Sequence, residues 1–137
     1  MGGTWCKTAW IILALIHILP ASVLVAPELA LRLYGVDPQG PVAVLIIHRG
    51  ALFLAVMVVS LFAVFDPPSR RVCSIIVAIS ILGFLGVYTQ AGLPEGPLRT
   101  IALVDLAALL PLVMVTVAAW RRRMADSRRS GRAVGKP

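Results

Sequence analysis

Two of the long apolar stretches in this chain carry ionisable side chains well inside them: His48 with Arg49 in one, Asp105 in another. A charge inside such a stretch costs several kcal/mol unless it is paired, wetted or used, so chemistry is expected at these positions. Arg49 lies seven residues past Val42, where its run begins, and Asp105 seven past Leu98. At about 1.5 Å per residue both sit roughly 10 Å inside one boundary. A guanidinium and a carboxylate at one level are expected to meet as a bidentate ion pair, Arg49 with Asp105. Alternatively Arg49 snorkels to the headgroups while Asp105 pairs with Arg99 or is protonated.

His48 points about 100° around the helix from Arg49, and His17 lies nine residues before Ala26, roughly 13 Å from the same face. Two imidazoles in one small bundle make a metal site or a bis-histidine haem conceivable. With no third ligand and no haem-attachment motif, the plainer expectation is no metal, each histidine donating to a carbonyl or hydroxyl. Pro20 supplies such an acceptor near His17, because it cannot bond the carbonyl of Ile16; Pro111 frees the carbonyl of Ala107 in the same way. Kinks at the two prolines can open a cavity. Tyr34, His48, Arg49, Tyr88, Gln90, Arg99 and Asp105 are then expected to converge on one vestibule, half polar and half apolar. That suits a bound lipid, quinone or isoprenoid; no other cofactor is expected, and no catalytic residue is assigned. Ala51 with Ala55, Ser74 with Ala78, and Gly83 with Gly86 are read as close helix-packing positions rather than as ligand entry.

The elements that must hold these residues follow from composition. With 59% hydrophobic and 14% charged residues and a mean hydropathy of +0.92, the chain lies outside the range of soluble domains. Spans are expected at about 8–26, 42–65, 72–90 and 98–120, separated by Pro/Gly-rich breaks at 37–41, 66–69 and 92–97. Short connections imply antiparallel neighbours. Residues 27–35 open with Pro and Glu and close with Gly, which predicts a two-turn interfacial helix with Leu29, Ala30 and Leu33 facing the bilayer or the bundle and Glu28 and Arg32 the polar side. The expected fold is therefore all-α: an integral membrane four-helix up-down bundle over 1–120, with a short helix between the first two spans. A basic cytoplasmic tail, 121–137, is expected to be disordered.

Ten of the 13 Lys and Arg residues lie on the side holding both termini: Lys7, Arg70, Arg71, Arg121, Arg122, Arg123, Arg128, Arg129, Arg132 and Lys136. Cytoplasmic loops carry this excess, so both termini are expected in the cytoplasm of a bacterial inner membrane. Trp5, Trp10 and Trp120 fall at that face as an expected interfacial belt. The net charge of +7 comes largely from the tail and calls for anionic lipid rather than nucleic acid. The first run also has the look of a secretory signal peptide, and is read here as a retained span. Cys6 and Cys73 are expected as free thiols in a reducing compartment, which sets aside disulfide-forming membrane enzymes. The opening residues lack the Ser or Thr of a myristoylation signal.

His17-Ile18-Leu19-Pro20, Leu33-Tyr34-Gly35-Val36, His48-Arg49 before Leu52-Phe53, Phe65-Asp66-Pro67 and Asp105 together resemble the pattern of a family of small bacterial four-span membrane proteins. That family often carries the label phosphopantetheine adenylyltransferase, and the likeness covers roughly residues 10–118. It is also weakly similar to the DoxX-like four-helix membrane proteins. The resemblance implies that His17, Tyr34, His48, Arg49 and Asp105 are marked positions, and implies no reaction; Gly50 stands where the pattern leads one to expect Ala. Adenylyl transfer is rejected, because the chain has no strand-helix alternation and no phosphate-cradling Gly-rich loop. Three function classes remain. The expected one is an accessory or assembly subunit of a larger membrane complex, with other subunits or a second copy as partners. The alternatives are a lipid-, quinone- or isoprenoid-handling protein or enzyme at the Arg49/Asp105/His48 vestibule, and a small transporter.

Overall fold

The structure is a computed structural model that describes residues 3–134, with side chains described through Arg121. Its elements are α1 (Thr4–Ile16), α2 (Ile18–Ser22), α3 (Leu29–Tyr34), α4 (Gly40–Phe65), a 3-10 turn (Pro67–Ser69), α5 (Arg70–Gln90) and α6 (Pro97–Val134). The described residues contain no strand. Four helical stretches are long and apolar enough to cross a membrane: Thr4–Ser22, Gly40–Phe65, Pro67–Gln90 and Pro97–Arg121. The chain is a multi-pass membrane protein with an all-α four-helix bundle. α6 runs as helix to Val134, so the basic segment expected to be disordered continues the last span that far; residues 135–137 lie outside the described ones.

α1 packs on α4 and α6, α2 packs on α4, and α5 packs more extensively on α6 than on α4. Of the packed pairs of long helices, α4 and α5 are the least closely packed, and a further cavity of about 620 Å3 lies between α1 and α6 beside Pro111. Each span presents an inward stripe at helical spacing. On α4 it runs through Ile46, Arg49, Gly50, Phe53, Val56, Ser60 and Ala63, and on α6 through Leu98, Ile101, Ala102, Asp105, Ala108, Leu112 and Val115, all buried or half-buried.

The first span begins and ends earlier than its hydropathy suggests, because the chain turns at 23–26. There Val25 and Ala26 amides both donate to the Ser22 carbonyl, at 3.1 and 2.9 Å. The turn sends α3 back over the end of the bundle opposite the N-terminus, called here the far end. α3 ends at Gly35, whose φ of 69° suits a residue without a Cβ. Ala30 is fully buried, Leu29 and Leu33 are half-buried, and Glu28 and Arg32 are exposed, as the spacing predicts. Unlike an interfacial helix, however, α3 packs on α6.

Two apolar cores result. The larger, around Trp10, Leu13, Val56, Val77, Ile81, Ala108 and Val115, fills the middle and the end near the N-terminus. The smaller, at the far end, joins Val23, Ala30 and Tyr34 to Ile46, Leu98 and Ile101. Arg49 lies between Ile46 and Val56, Asp105 between Ile101 and Ala108, and His17 between Leu13 and Val23. The ionisable residues therefore form a polar layer where the two cores meet.

Two expectations at the near end are corrected. Trp10 is not a belt residue: it is fully buried in the larger core, while Trp5 and Trp120 stay exposed. Arg70 is not a solvated loop charge. Its side chain is buried and donates from Nε to the Ala63 carbonyl at 2.8 Å and from a terminal nitrogen to the Val64 carbonyl at 3.2 Å. Those carbonyls belong to the last turn of α4, which has no intrahelical donors and carries the negative end of the helix dipole. The other terminal nitrogen lies 3.6 Å from Cys6 Sγ, tying α1 to the same corner. Cys6 and Cys73 are both buried free thiols.

Candidate intramembrane site

The serine and threonine hydroxyls whose bonds are seen in the spans are consumed locally. Thr8, Ser60 and Ser74 each donate to a carbonyl one turn back in their own helix, at 3.0, 2.8 and 2.8 Å. Two buried side-chain groups are left without a partner among the described residues: Trp10 Nε1 in the larger core and the Tyr34 hydroxyl in the layer between the cores.

Arg49 enters that layer from the inward stripe of α4, nine residues or roughly 14 Å past Gly40. Its guanidinium carbon stands 5.0 Å from the centroid of the Tyr34 ring, 5.2 Å from Phe53 and 5.4 Å from Phe84. The cage draws one ring each from α3, α4 and α5, with Phe53 one turn along from Arg49. Aromatic faces offer a cation their negative quadrupole, which holds the guanidinium without using its N–H groups. Five donors are thereby left to an acceptor.

The expected Arg49–Asp105 ion pair is not formed: among the described residues no basic side-chain nitrogen lies within 4.0 Å of a carboxylate oxygen. The two residues lie at similar depth, Arg49 nine residues past Gly40 and Asp105 eight past Pro97. The aromatic rings take the guanidinium from the carboxylate by enclosing it on three sides. Glu95 and Arg99, four residues apart, are likewise not within 4.0 Å of each other as an ion pair.

Tyr34 is buried to 7% exposure, and its hydroxyl has no hydrogen-bond partner among the described residues. Burial pushes its phenol above the ordinary value of 10.0, and the Arg49 charge opposes that rise. The hydroxyl is therefore a neutral donor.

His17 sits at the break between α1 and α2. Its amide donates to the Ala14 carbonyl at 3.1 Å, three residues back, which leaves the Leu13 carbonyl without a helical donor. The ring takes that place, Nδ1 lying 2.7 Å from the Leu13 oxygen. A carbonyl only accepts, so Nδ1 carries the proton. The acceptor is Leu13 rather than the expected Ile16. The ring also meets Phe53, centroid to centroid at 5.8 Å, on the ring that helps cage Arg49.

His48 does not join the layer. It is exposed on the outer side of α4, one residue off the inward stripe, so a shared ligand with buried His17 has no geometric support. Among the described residues no group of three or more His, Cys, Asp or Glu could hold a metal ion.

The single vestibule expected from sequence divides into two grooves. One, of about 310 Å3, lies along the α4/α5 seam and is lined by Arg49, Leu52, Phe53, Val56, Ile79, Ser80, Gly83, Phe84 and Val87. The other, of about 450 Å3, lies between the far ends of α5 and α6, and Tyr88, Glu95 and Arg99 line it. There the Tyr88 hydroxyl donates to the Pro94 carbonyl at 3.0 Å and pins the connecting loop. Gln90 is exposed and lines neither groove.

Gly83 and Gly86 do not bring helices together, as was expected of them. A Cβ on either would meet nothing within 4 Å. Gly83 keeps the Arg49 groove open. The close approach is at Gly50 instead, where a Cβ would stand 2.7 Å from the Leu24 amide nitrogen. An alanine at this position does not fit this packing.

Fold and site together define a multi-pass four-helix membrane protein with a caged arginine opening onto its lipid-facing surface. No protein-family model, curated protein or solved structure matches this chain.

Proposed function

We propose that this protein binds a lipid-like amphiphile in the α4/α5 groove, with the polar head of the ligand at Arg49. The observation that carries this reading is a half-buried guanidinium that lines a groove at membrane depth with no acceptor among the described residues. A cation so placed is costly unless a ligand or water meets it. The groove walls are otherwise apolar and open toward the bilayer through exposed Leu52, Ile79 and Val87, so access is lateral from lipid. The protein resides in a bacterial inner membrane with both termini cytoplasmic, on the strength of its positive-inside bias. The far end, with α3 and Arg49, is then extracytoplasmic. Catalysis is not assigned.

The test is native mass spectrometry of the protein extracted from its own membrane in mild detergent, with identification of retained lipids. The reading expects a specific bound amphiphile that is lost from Gly83→Trp, whose indole fills the groove. A ligand-free protein, or retention unchanged in Gly83→Trp, would refute it.

A second reading, an accessory subunit of a larger membrane complex, rests on His48. An imidazole exposed on the outer side of a spanning helix is satisfied by a partner helix more readily than by lipid. That reading expects a stoichiometric protein partner in the same spectra, released by His48→Leu.

A further inference from the structure

We infer that the ligand of the α4/α5 groove is a single-chain amphiphile with an anionic head, a carboxylate or a phosphate, drawn from the far leaflet of the bilayer. This rests on the ligand-binding reading above and adds the ligand's class and direction.

The head follows from the cage. Three rings surround the Arg49 guanidinium at 5.0 to 5.4 Å and satisfy its charge in part, but none accepts its N–H bonds in plane. A planar fork of donors is matched by the paired oxygens of a carboxylate or phosphate. Asp105, the internal candidate for that role, is not within 4.0 Å and does not line the groove. Arg49 thus faces an open groove with no carboxylate of the described residues within 4.0 Å.

The chain and its direction follow from the groove. On α4 it runs from Arg49 to Val56, seven residues or roughly 10 Å toward the middle of the bundle. On α5 it is lined from Val87 back to Ile79, which is antiparallel and covers the same depth. The charge is at the groove end nearer the far end, roughly 14 Å past Gly40, and the apolar walls extend deeper from there through the middle of α4. A lipid of the far leaflet presents the same order, head outward and tail toward the midplane. The volume of about 310 Å3 is at the bottom of the range for small-molecule sites, which suits one chain rather than two.

The experiment is equilibrium binding of radiolabelled palmitate, hexadecyl phosphate and hexadecanol to the full chain in phosphatidylcholine nanodiscs. Palmitate and hexadecyl phosphate are expected to bind at least about tenfold more tightly than hexadecanol, the difference between a charge-assisted and a neutral hydrogen-bonded head. Arg49→Gln should abolish that preference. Gly83→Trp should block all three, and serves if Arg49→Gln fails to fold. Equal binding of all three probes would overturn the anionic head while leaving an amphiphile site. Displacement of palmitate by inorganic phosphate alone would show a soluble-anion site and overturn the chain. Failure of every probe to bind would remove the ligand-binding reading itself.

Discussion

Gly50 and Leu24 are pressed together: a Cβ on Gly50 would come within 2.7 Å of the Leu24 amide nitrogen and 3.2 Å of its Cα. The obstacle is backbone, so it cannot rotate aside as a side chain would. Through this contact α4 supports the 23–26 turn, and the turn sets α3, with Tyr34, over Arg49. Gly50→Ala is expected to lower stability by about 1 to 3 kcal/mol despite alanine's better helix propensity. Gly83→Ala, in open space, is expected to be neutral or stabilising by up to about 1 kcal/mol. Thermal unfolding of both variants in detergent gives the comparison; a Gly50→Ala protein as stable as wild type would show that the turn is not seated as described.

Arg70 and Arg71 are adjacent but play unequal parts. Arg70 is buried against two carbonyls of α4 and the Cys6 sulfur, whereas Arg71 is half-buried, its guanidinium carbon 5.8 Å from the Trp120 ring. Arg70→Met is expected to cost about 2 to 4 kcal/mol, because two charge-assisted hydrogen bonds at a helix C-terminus are lost together. Arg71→Met should cost less than about 1 kcal/mol. Unfolding midpoints that fall equally for the two variants would contradict this assignment.

The unpaired hydroxyl of Tyr34 makes an uncommon prediction. Tyr34→Phe keeps the ring over Arg49 and removes an unsatisfied buried group, so stability should hold or rise by about 1 kcal/mol. Tyr34→Ala, which opens the cage, should cost about 3 kcal/mol or more. Thermal melts that rank Tyr34→Phe with Tyr34→Ala would mean that the hydroxyl has a partner.

The same phenol sets a pH dependence. Burial raises its pKa above the ordinary 10.0, so the folded state holds the proton more tightly than the unfolded chain. Its contribution is complete below that ordinary value and is lost as pH climbs toward the raised one. The unfolding midpoint should therefore drop more steeply with alkaline pH in the wild type than in Tyr34→Phe. Identical profiles would place the hydroxyl in water.

At the helix break, His17→Leu leaves the Leu13 carbonyl buried without a donor and should cost about 1 to 3 kcal/mol. His17→Asn, which retains an N–H donor, should recover part of the loss. Amide exchange through residues 13–22 reports it: exchange unchanged in His17→Leu would show that the imidazole does not hold the break.

Hydropathy and spacing alone determined that four helices span the bilayer, that α3 is a short helix closed by Gly35, and that Arg49 and Asp105 face inward at one depth. Those properties depend on the local chain: apolar length against membrane thickness, and the 3.6-residue period that puts Arg49 and Asp105 on inward stripes; the same reading put His48 in the vestibule, where it does not lie. Pro20 likewise announced a break near His17, though not which carbonyl the ring would cap. The tertiary structure decided what each polar group meets. Spacing along one helix carries no information about the rings of α3 and α5 that reach Arg49 before Asp105 does. Nor does it tell that Arg70 turns into the bundle to cap α4, that Trp10 is buried, or that Gly50 rather than Gly83 is the close contact. A glycine's role depends on what stands opposite its missing Cβ, and a buried charge takes the partner that packing brings closest. Both are set by neighbouring helices, and only the assembled bundle supplies them.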